Sequence, residues 1–464
     1  MKKTLKRIWQ WIDDRSGLSE MLHPLLQHKV PRGLKWNYVF GSATLFCFIL
    51  QIVTGSALAL MYQPSSDKAF ASLQYITQQA VLGRWLRGIH YFGASAMMLL
   101  AGIHMLRVYL TAAYKYPREM SWVSGIILLL LTTVMGFTGQ LLRWDDNGVW
   151  SAVVAAEQMG RVPLIGPSLA RLLMGGDTLG GHTLSRFYTY HVFMVPGLLI
   201  LFLGFHLWLV VRNGISEPPK AGRPVDPKTY RTWYRNALRS EGIAFWPYVA
   251  WRDVVFSVAV LLLVVLLAAV AGPPPLRKPP DPSIVYTQPQ PDWYLLWIYA
   301  LFALMPPEVE SYAMFFGPLI ALFLLFALPF LSNKGERSPL KRPWAVAGSI
   351  AVIVLIGALL LAGSRAGWSP AFKQRTLPPA VAASAGPDVK AGKVLFEQKG
   401  CLYCHRIGDK GGIVGPDLTH AGSRLSTTEM HIRILNGSTG MPAYGRLLRH
   451  REMQQLIAFL QSRQ

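Results

Sequence analysis

Seven stretches of this chain, roughly residues 37–61, 87–111, 121–142, 190–211, 254–271, 312–331 and 344–363, are apolar over close to the ~20 residues that a ~30 Å hydrocarbon core demands. Lipid offers the backbone no hydrogen bonds, so each stretch must satisfy its own N–H and C=O groups and crosses as an α-helix. A composition of 52% hydrophobic and 15% charged residues fits an integral membrane protein. The first stretch follows a long charged segment and has no small-residue cleavage site after it. It reads as a retained helix rather than a signal peptide.

A formal net charge of +22 would suit nucleic acid if it were gathered into one binding surface. It is instead distributed by membrane side. Lys2, Lys3, Lys6, Arg7, Arg15, Lys29, Arg32 and Lys35 precede the first span, and Arg107, Lys115 and Arg118 lie between the second and third. Lys220, Arg223, Lys228, Arg231, Arg235 and Arg239 follow the fourth, and Lys334, Arg337, Lys341 and Arg342 follow the sixth. By the positive-inside rule the N-terminus is cytoplasmic and, after seven crossings, the C-terminus lies outside. A nucleic-acid partner is not expected.

Four of the eleven histidines fall inside apolar spans: His90 and His104 in the second, His191 and His206 in the fourth. An ionisable ring at that depth needs a partner. Fourteen helical residues rise about 21 Å and return to within about 40° of the same direction, so His90 and His104 share a face at two depths. Fifteen residues separate His191 from His206, and Pro196 and Gly197 between them offer a kink to absorb the larger angular offset. The two spans run in the same direction. His90 therefore pairs with His191 near the outer side and His104 with His206 near the inner side, giving two bis-imidazole sites suited to b-type haem. Gly41 and Gly55 in the first span, and Gly125 and Gly139 in the third, repeat the fourteen-residue interval and would let a flat macrocycle approach the backbone.

Composition changes again after the last span. Residues 364–387 are rich in Pro, Ala and Ser and form a linker, and 388–464 have a soluble pattern. Within it Cys401-Leu402-Tyr403-Cys404-His405 is a c-type haem attachment sequence, with two thiols for thioethers and a histidine for iron. Met441, in Gly440-Met441-Pro442, is the candidate sixth ligand. Cys47, inside the first span, reads as an inert packing residue. Covalent haem also stabilises a domain of this size, too small for a robust core of its own, and its external location agrees with the charge rule.

Two long external connections, 142–189 and 272–311, are rich in Pro and Gly and are expected to fold back over a site. The second carries Pro291-Asp292-Trp293-Tyr294. A carboxylate among aromatic rings at a membrane edge can take a proton from a quinol, so Asp292, Tyr294 and Tyr299 are candidate catalytic residues. Arg212, at the inner end of the fourth span, is a candidate inner-site cation, against the plainer reading of an interfacial snorkelling residue.

The histidine intervals, the glycine pairs and strings such as Arg107-Val108-Tyr109-Leu110-Thr111 and Pro117-Arg118-Glu119 resemble cytochrome b6 of b6f-type complexes. The last three spans and the Pro-Asp-Trp-Tyr motif resemble its partner, subunit IV. The resemblance implies an all-α membrane protein with a four-helix haem-binding domain at 1–215, a three-helix domain at 216–363, and a small all-α cytochrome c domain at 388–464. It further implies a quinol-oxidising subunit that passes electrons across the membrane through two b haems and outward through one c haem, coupled to proton translocation. A Rieske iron–sulfur protein, membrane quinone, a soluble or membrane-bound electron acceptor and a homodimeric complex are the implied partners, in a bacterial cytoplasmic membrane. Three positions depart from the family: Asp292 replaces a Glu, Arg143 stands where a Pro is usual, and Val39 stands where a cysteine anchors an additional haem. Competing readings are a di-haem membrane anchor for a dehydrogenase or reductase and a transporter with a redox-sensing domain; haem stoichiometry and the Asp292 motif separate them.

Overall fold

The computed structural model describes all residues except 1, 177–178, 281–288, 366–375, 404, 412–414, 438–440, 442 and 446. Short helices α1 (Lys2–Ser16) and α2 (Leu18–Leu26) precede the first crossing, α3 (Phe40–Ala59). After α4 (Ala69–Gln78), α5 (Gly83–Leu110) and α6 (Glu119–Leu141) cross, and α7 (Asp146–Gly160), α8 (Gly166–Met174) and α9 (Gly181–Thr189) fill the next connection. The fourth crossing runs without a break from α9 into α10 (Val195–Asn213). Next come α11 (Tyr230–Glu241), α12 (Ala250–Val270), the short apolar α13 (Trp293–Ala303), α14 (Pro307–Leu331) and α15 (Pro343–Arg365). Among the described residues, seven helices are long and apolar enough to cross a membrane, in agreement with the seven apolar stretches.

Helices α3, α5, α6 and α10 form one bundle, α3 lying along α5 and α6 along α10. Their shared core contains Ala43, Cys47, Phe48, Met97, Leu100, Val195 and Leu199. Cys47 is fully buried within it, in the packing position its surroundings suggest. On the outside of the bundle α12 lies against α5 and α3, α14 against α6, and α13 against α15.

At the basic end the connecting loops are tied together by buried charges. Arg118 donates to the carbonyls of Gly214 and Asn213 and to the Tyr230 hydroxyl, which donates to Glu217 Oε2 at 2.7 Å. The other Glu217 oxygen pairs with Arg337, itself 2% exposed, which also donates to the carbonyls of Glu217 and Thr111. Lys115 donates to the Ser332 hydroxyl and the Lys334 carbonyl. Its burial, with Arg342 and Arg337 nearby, pushes its ammonium down to about 8. These contacts join the loops after α5, α10 and α14, so the first four crossings and the last three form one body at this end.

The C-terminal region is built from α16 (Pro387–Gln398), α17 (Ala421–Arg424), α18 (Thr427–Asn436) and α19 (His450–Gln461). Helices α16 and α19 cross in contact at Gly392, where a β-carbon would stand 2.0 Å from the Gln455 carbonyl oxygen. Phe396 and Phe459 pack at this crossing with ring centres 5.5 Å apart. Leu402, Ile407, Met430, Ile434, Met453 and Leu456 complete a core against which Cys401 and Met441 pack.

Candidate functional site

Of the four histidines of the spans, His90 and His191 come into ring contact in the bundle. They face each other with ring centres 6.2 Å apart and planes at 76°.

Each of the four interval glycines lies against one histidine ring. A β-carbon on Gly55 would stand 3.0 Å from His90 Cε1, on Gly139 2.6 Å from His191 Cε1, and on Gly41 2.9 Å from His104 Cε1. Gly125 is looser, 3.5 Å from His206 Cε1. The glycines therefore seat the imidazoles directly.

The residue before three of these glycines carries a hydroxyl that meets the ring. Thr54 Oγ1 lies 2.9 Å from His90 Nδ1, Thr138 Oγ1 3.1 Å from His191 Nδ1, and Ser124 Oγ 2.8 Å from His206 Nδ1. Each hydroxyl donates its own hydrogen to a carbonyl of its helix, of Leu50, Val134 and Ser121 respectively. It is thus left as an acceptor, which places the imidazole proton on Nδ1 and the free lone pair on Nε2. At the fourth position Phe40 precedes Gly41, and among the described residues no hydroxyl reaches His104.

The fourth crossing handles its fifteen-residue interval by a single π-helical turn, Tyr190–Met194, in which the Val195 N–H bonds to the Tyr190 carbonyl. A π turn accommodates one extra residue, so fifteen residues here act as fourteen in a regular helix. The re-registration occurs at His191 itself, ahead of the expected kink at Pro196 and Gly197.

Cations missed in the sequence flank both levels. Arg107 lies over the Tyr38 ring at 3.6 Å, and its Nε and Nη2 are buried without hydrogen-bond partners among the described residues. Arg87, 7% exposed, donates to the Thr77 hydroxyl and the Pro274 carbonyl. A group carrying carboxylates would satisfy the free donors of Arg107, and paired lone-pair nitrogens suit iron, so the residues present fit haem. Arg212 is exposed at the end of α10 with its guanidinium 5.0 Å from the Trp208 ring, an interfacial setting.

Near the opposite end of α6 the 272–311 connection folds onto the α6–α7 corner. Asn147 exchanges two hydrogen bonds with Gln290, Gln140 donates to the Gln290 carbonyl, and the Asp292 N–H donates to Gln140 Oε1. The Tyr294 hydroxyl donates to Asp292 Oδ2 at 3.1 Å and lies against Gly136, where a β-carbon would be 2.5 Å away. Burial pushes the Asp292 carboxyl above its usual range, opposed first by Arg143 and then by the Tyr294 hydroxyl. Gly136 and Gly139 are one helical turn apart, so Tyr294 and the His191 ring occupy adjacent places on α6. Tyr299 is half-buried further along α13. The signal for this clamp was present in Gln140, Asn147 and Gly136, but no local pattern marks them.

In the C-terminal region His405 is held by Nδ1 on the Pro416 carbonyl at 2.8 Å, which directs Nε2 outward, and Gly415 gives its ring room. Cys401 and Met441 lie on the same core; Cys404 lies outside the described residues.

Oriented histidine pairs in a membrane bundle, followed by a domain with a haem-attachment sequence, define a membrane cytochrome. Comparison with known proteins agrees. Residues 25–214 match the model of the cytochrome b/b6/petB family, 279–375 that of cytochrome b(C-terminal)/b6/petD, and 387–460 that of cytochrome C oxidase, cbb3-type, subunit III. Cytochrome b6 of Synechococcus sp. (strain JA-3-3Ab) is 37% identical over 214 residues, 46% of this chain and 100% of that protein. Cytochrome b6 of Synechococcus elongatus is 35% identical over 214 residues, with the same coverage. The solved structure of a "Hyperthermophilic respiratory Complex III" aligns with a TM-score of 0.65 and 27% identity over 77% of this chain and 91% of that one. The chain belongs to the cytochrome b/b6 family, with a cytochrome c domain at its C-terminus.

Proposed function

We propose that this chain is the cytochrome b and c subunit of a quinol-oxidising bc-type complex. His90 with His191 and His104 with His206 would hold two b-type haems, while Cys401, Cys404, His405 and Met441 would hold one c-type haem. When bound, these groups supply one-electron carriers at three levels, which lets the two electrons of a quinol leave by separate routes. The chain's own residues perform the proton chemistry. Asp292 accepts a proton from the quinol hydroxyl, and Tyr294 holds the carboxylate in place. The Gln140 and Asn147 clamp fixes the loop that carries Asp292, and Tyr299 lines the same helix.

The reading includes a Rieske iron–sulfur protein as electron acceptor at the outer side, a homodimeric complex, and a cytoplasmic N-terminus with the c domain outside a bacterial membrane. Moving an electron inward against the membrane potential stores about 2.3 kcal/mol per 100 mV, which is the coupling to proton translocation. The observation that supports the reading is that Tyr294, bonded to Asp292, and the His191 ring lie against α6 one turn apart, so that on this reading the proton acceptor would stand close to the first inward electron carrier.

The purified complex tests it. A pyridine haemochrome count of two b haems and one c haem per chain, with reduction by a quinol analogue that an outer-site inhibitor blocks, is the expected result. Full haem content with inhibitor-insensitive reduction would indicate a di-haem anchor instead, and absence of b haem would overturn the histidine assignments.

A further inference from the structure

We infer that the hydroxyls of Thr54, Thr138 and Ser124 set the redox order of the two histidine pairs, acting as positioning residues through the rings they meet. Both rings of the His90/His191 pair donate to a hydroxyl, and one ring of the His104/His206 pair does, so an electron favours the inner pair. The inference rests on the reading above that each pair holds a b-type haem.

A neutral imidazole that binds iron through Nε2 carries its proton on Nδ1, so the ring is a donor there. At the outer pair both protons meet an oxygen: His90 Nδ1 lies 2.9 Å from Thr54 Oγ1, and His191 Nδ1 lies 3.1 Å from Thr138 Oγ1. These hydroxyls are held as acceptors because their own hydrogens go to carbonyls one turn back, Leu50 at 2.7 Å and Val134 at 2.9 Å. Thr54 is 4% exposed and Thr138 3%, so water does not compete for either oxygen.

At the inner pair His206 Nδ1 lies 2.8 Å from the buried Ser124 Oγ, which donates to the Ser121 carbonyl at 3.1 Å. His104 differs. Its Nδ1 lies 3.2 Å from where a β-carbon on Gly41 would stand, but the residue before that glycine is Phe40, whose ring packs edge to face with Phe256, centres 5.7 Å apart. Among the described residues no hydrogen bond reaches the His104 ring.

An acceptor on Nδ1–H draws the proton away from the ring and makes Nε2 a more basic ligand. A more basic ligand stabilises oxidised iron over reduced iron, so each such hydrogen bond lowers the potential. Two bonds at the outer pair against one at the inner pair make the outer carrier the better reductant. The transfer moves one electron: the outer carrier is oxidised, the inner one is reduced, and no proton or covalent bond changes. The difference offsets part of the work of moving the electron inward against the membrane potential.

Optical redox titration of the b-type bands in the purified complex tests this, with haem content counted in each variant. Thr54→Val and Thr138→Val are each expected to make the lower-potential b component about three- to tenfold easier to reduce, a rise of roughly 30–60 mV for one electron, and to leave the other component in place. Ser124→Ala is expected to raise the higher-potential component by a similar amount. Thr54→Ser keeps the hydroxyl, and Thr132→Val removes one that donates to the Leu128 carbonyl of its own helix; both are expected to shift neither component. With both b haems present, the inference alone is overturned by unshifted potentials in the three hydroxyl deletions, by a shift of the opposite component, or by an equal shift in Thr54→Ser or Thr132→Val. A wild-type complex without two b haems would overturn the reading beneath it.

Discussion

A glycine preceded by a hydroxyl residue recurs at Thr54-Gly55, Ser124-Gly125 and Thr138-Gly139, and each half of the pair acts on a histidine of a neighbouring helix. The glycine admits the ring and the hydroxyl fixes its tautomer. Replacing a helical glycine by alanine stabilises an unconstrained helix by about 0.5–1 kcal/mol, so a loss there isolates the ring contact. Gly139→Ala, whose β-carbon would stand 2.6 Å from His191, is expected to lose b-type haem from that level. Gly125→Ala, at an ordinary 3.5 Å from His206, is expected to retain both. A haemochrome count on the two purified variants checks this, and equal loss in both would show that the glycines serve helix packing instead. The fourteen-residue interval made the glycines visible in the sequence. The hydroxyls were not, because Ser and Thr are common in apolar helices and only the facing histidine singles these out.

Among the elements, the loops at the basic end are the least regular and the most tightly bonded. Arg337 reaches Glu217 and Thr111 from a loop more than a hundred residues away in sequence, and nearly all of it is buried. Arg337→Met would leave the largely buried Glu217 carboxylate, 14% exposed, with the Tyr230 hydroxyl as its remaining side-chain partner among the described residues, and removing one partner of a buried ion pair typically costs about 3–5 kcal/mol. Thermal unfolding of the purified complex is expected to begin at a clearly lower temperature, with the b-haem absorbance lost in the same transition. An unchanged unfolding temperature would mean that apolar helix contacts alone join the two halves. The π turn at Tyr190–Met194 belongs to the same scale: spacing showed that an offset existed, and only the folded helix showed where it is absorbed.

For the molecule as a whole, the membrane bundle and the C-terminal region each have their own core, and the latter includes a close crossing of α16 and α19. Gly392 and Phe459 make that crossing, and a side chain at Gly392 would meet backbone of α19. Gly392→Leu is expected to abolish the c-type band while both b-type bands remain, read from reduced-minus-oxidised spectra of membranes. Loss of all three bands would show that the bundle needs the C-terminal domain to assemble.

The number of crossings, the depth and pairing of the histidines and the haem-attachment sequence were determined by the sequence itself. Each is set by a local rule: the thickness of the hydrocarbon, the pitch of the helix, and the chemistry of adjacent residues. Only the tertiary structure decided which hydroxyls orient His90, His191 and His206, and how Gln140 and Asn147 hold the Asp292 loop. These contacts join residues far apart in the chain through loops without periodicity, so no local pattern encodes them, and they form because buried polar groups must find partners once the helices have packed.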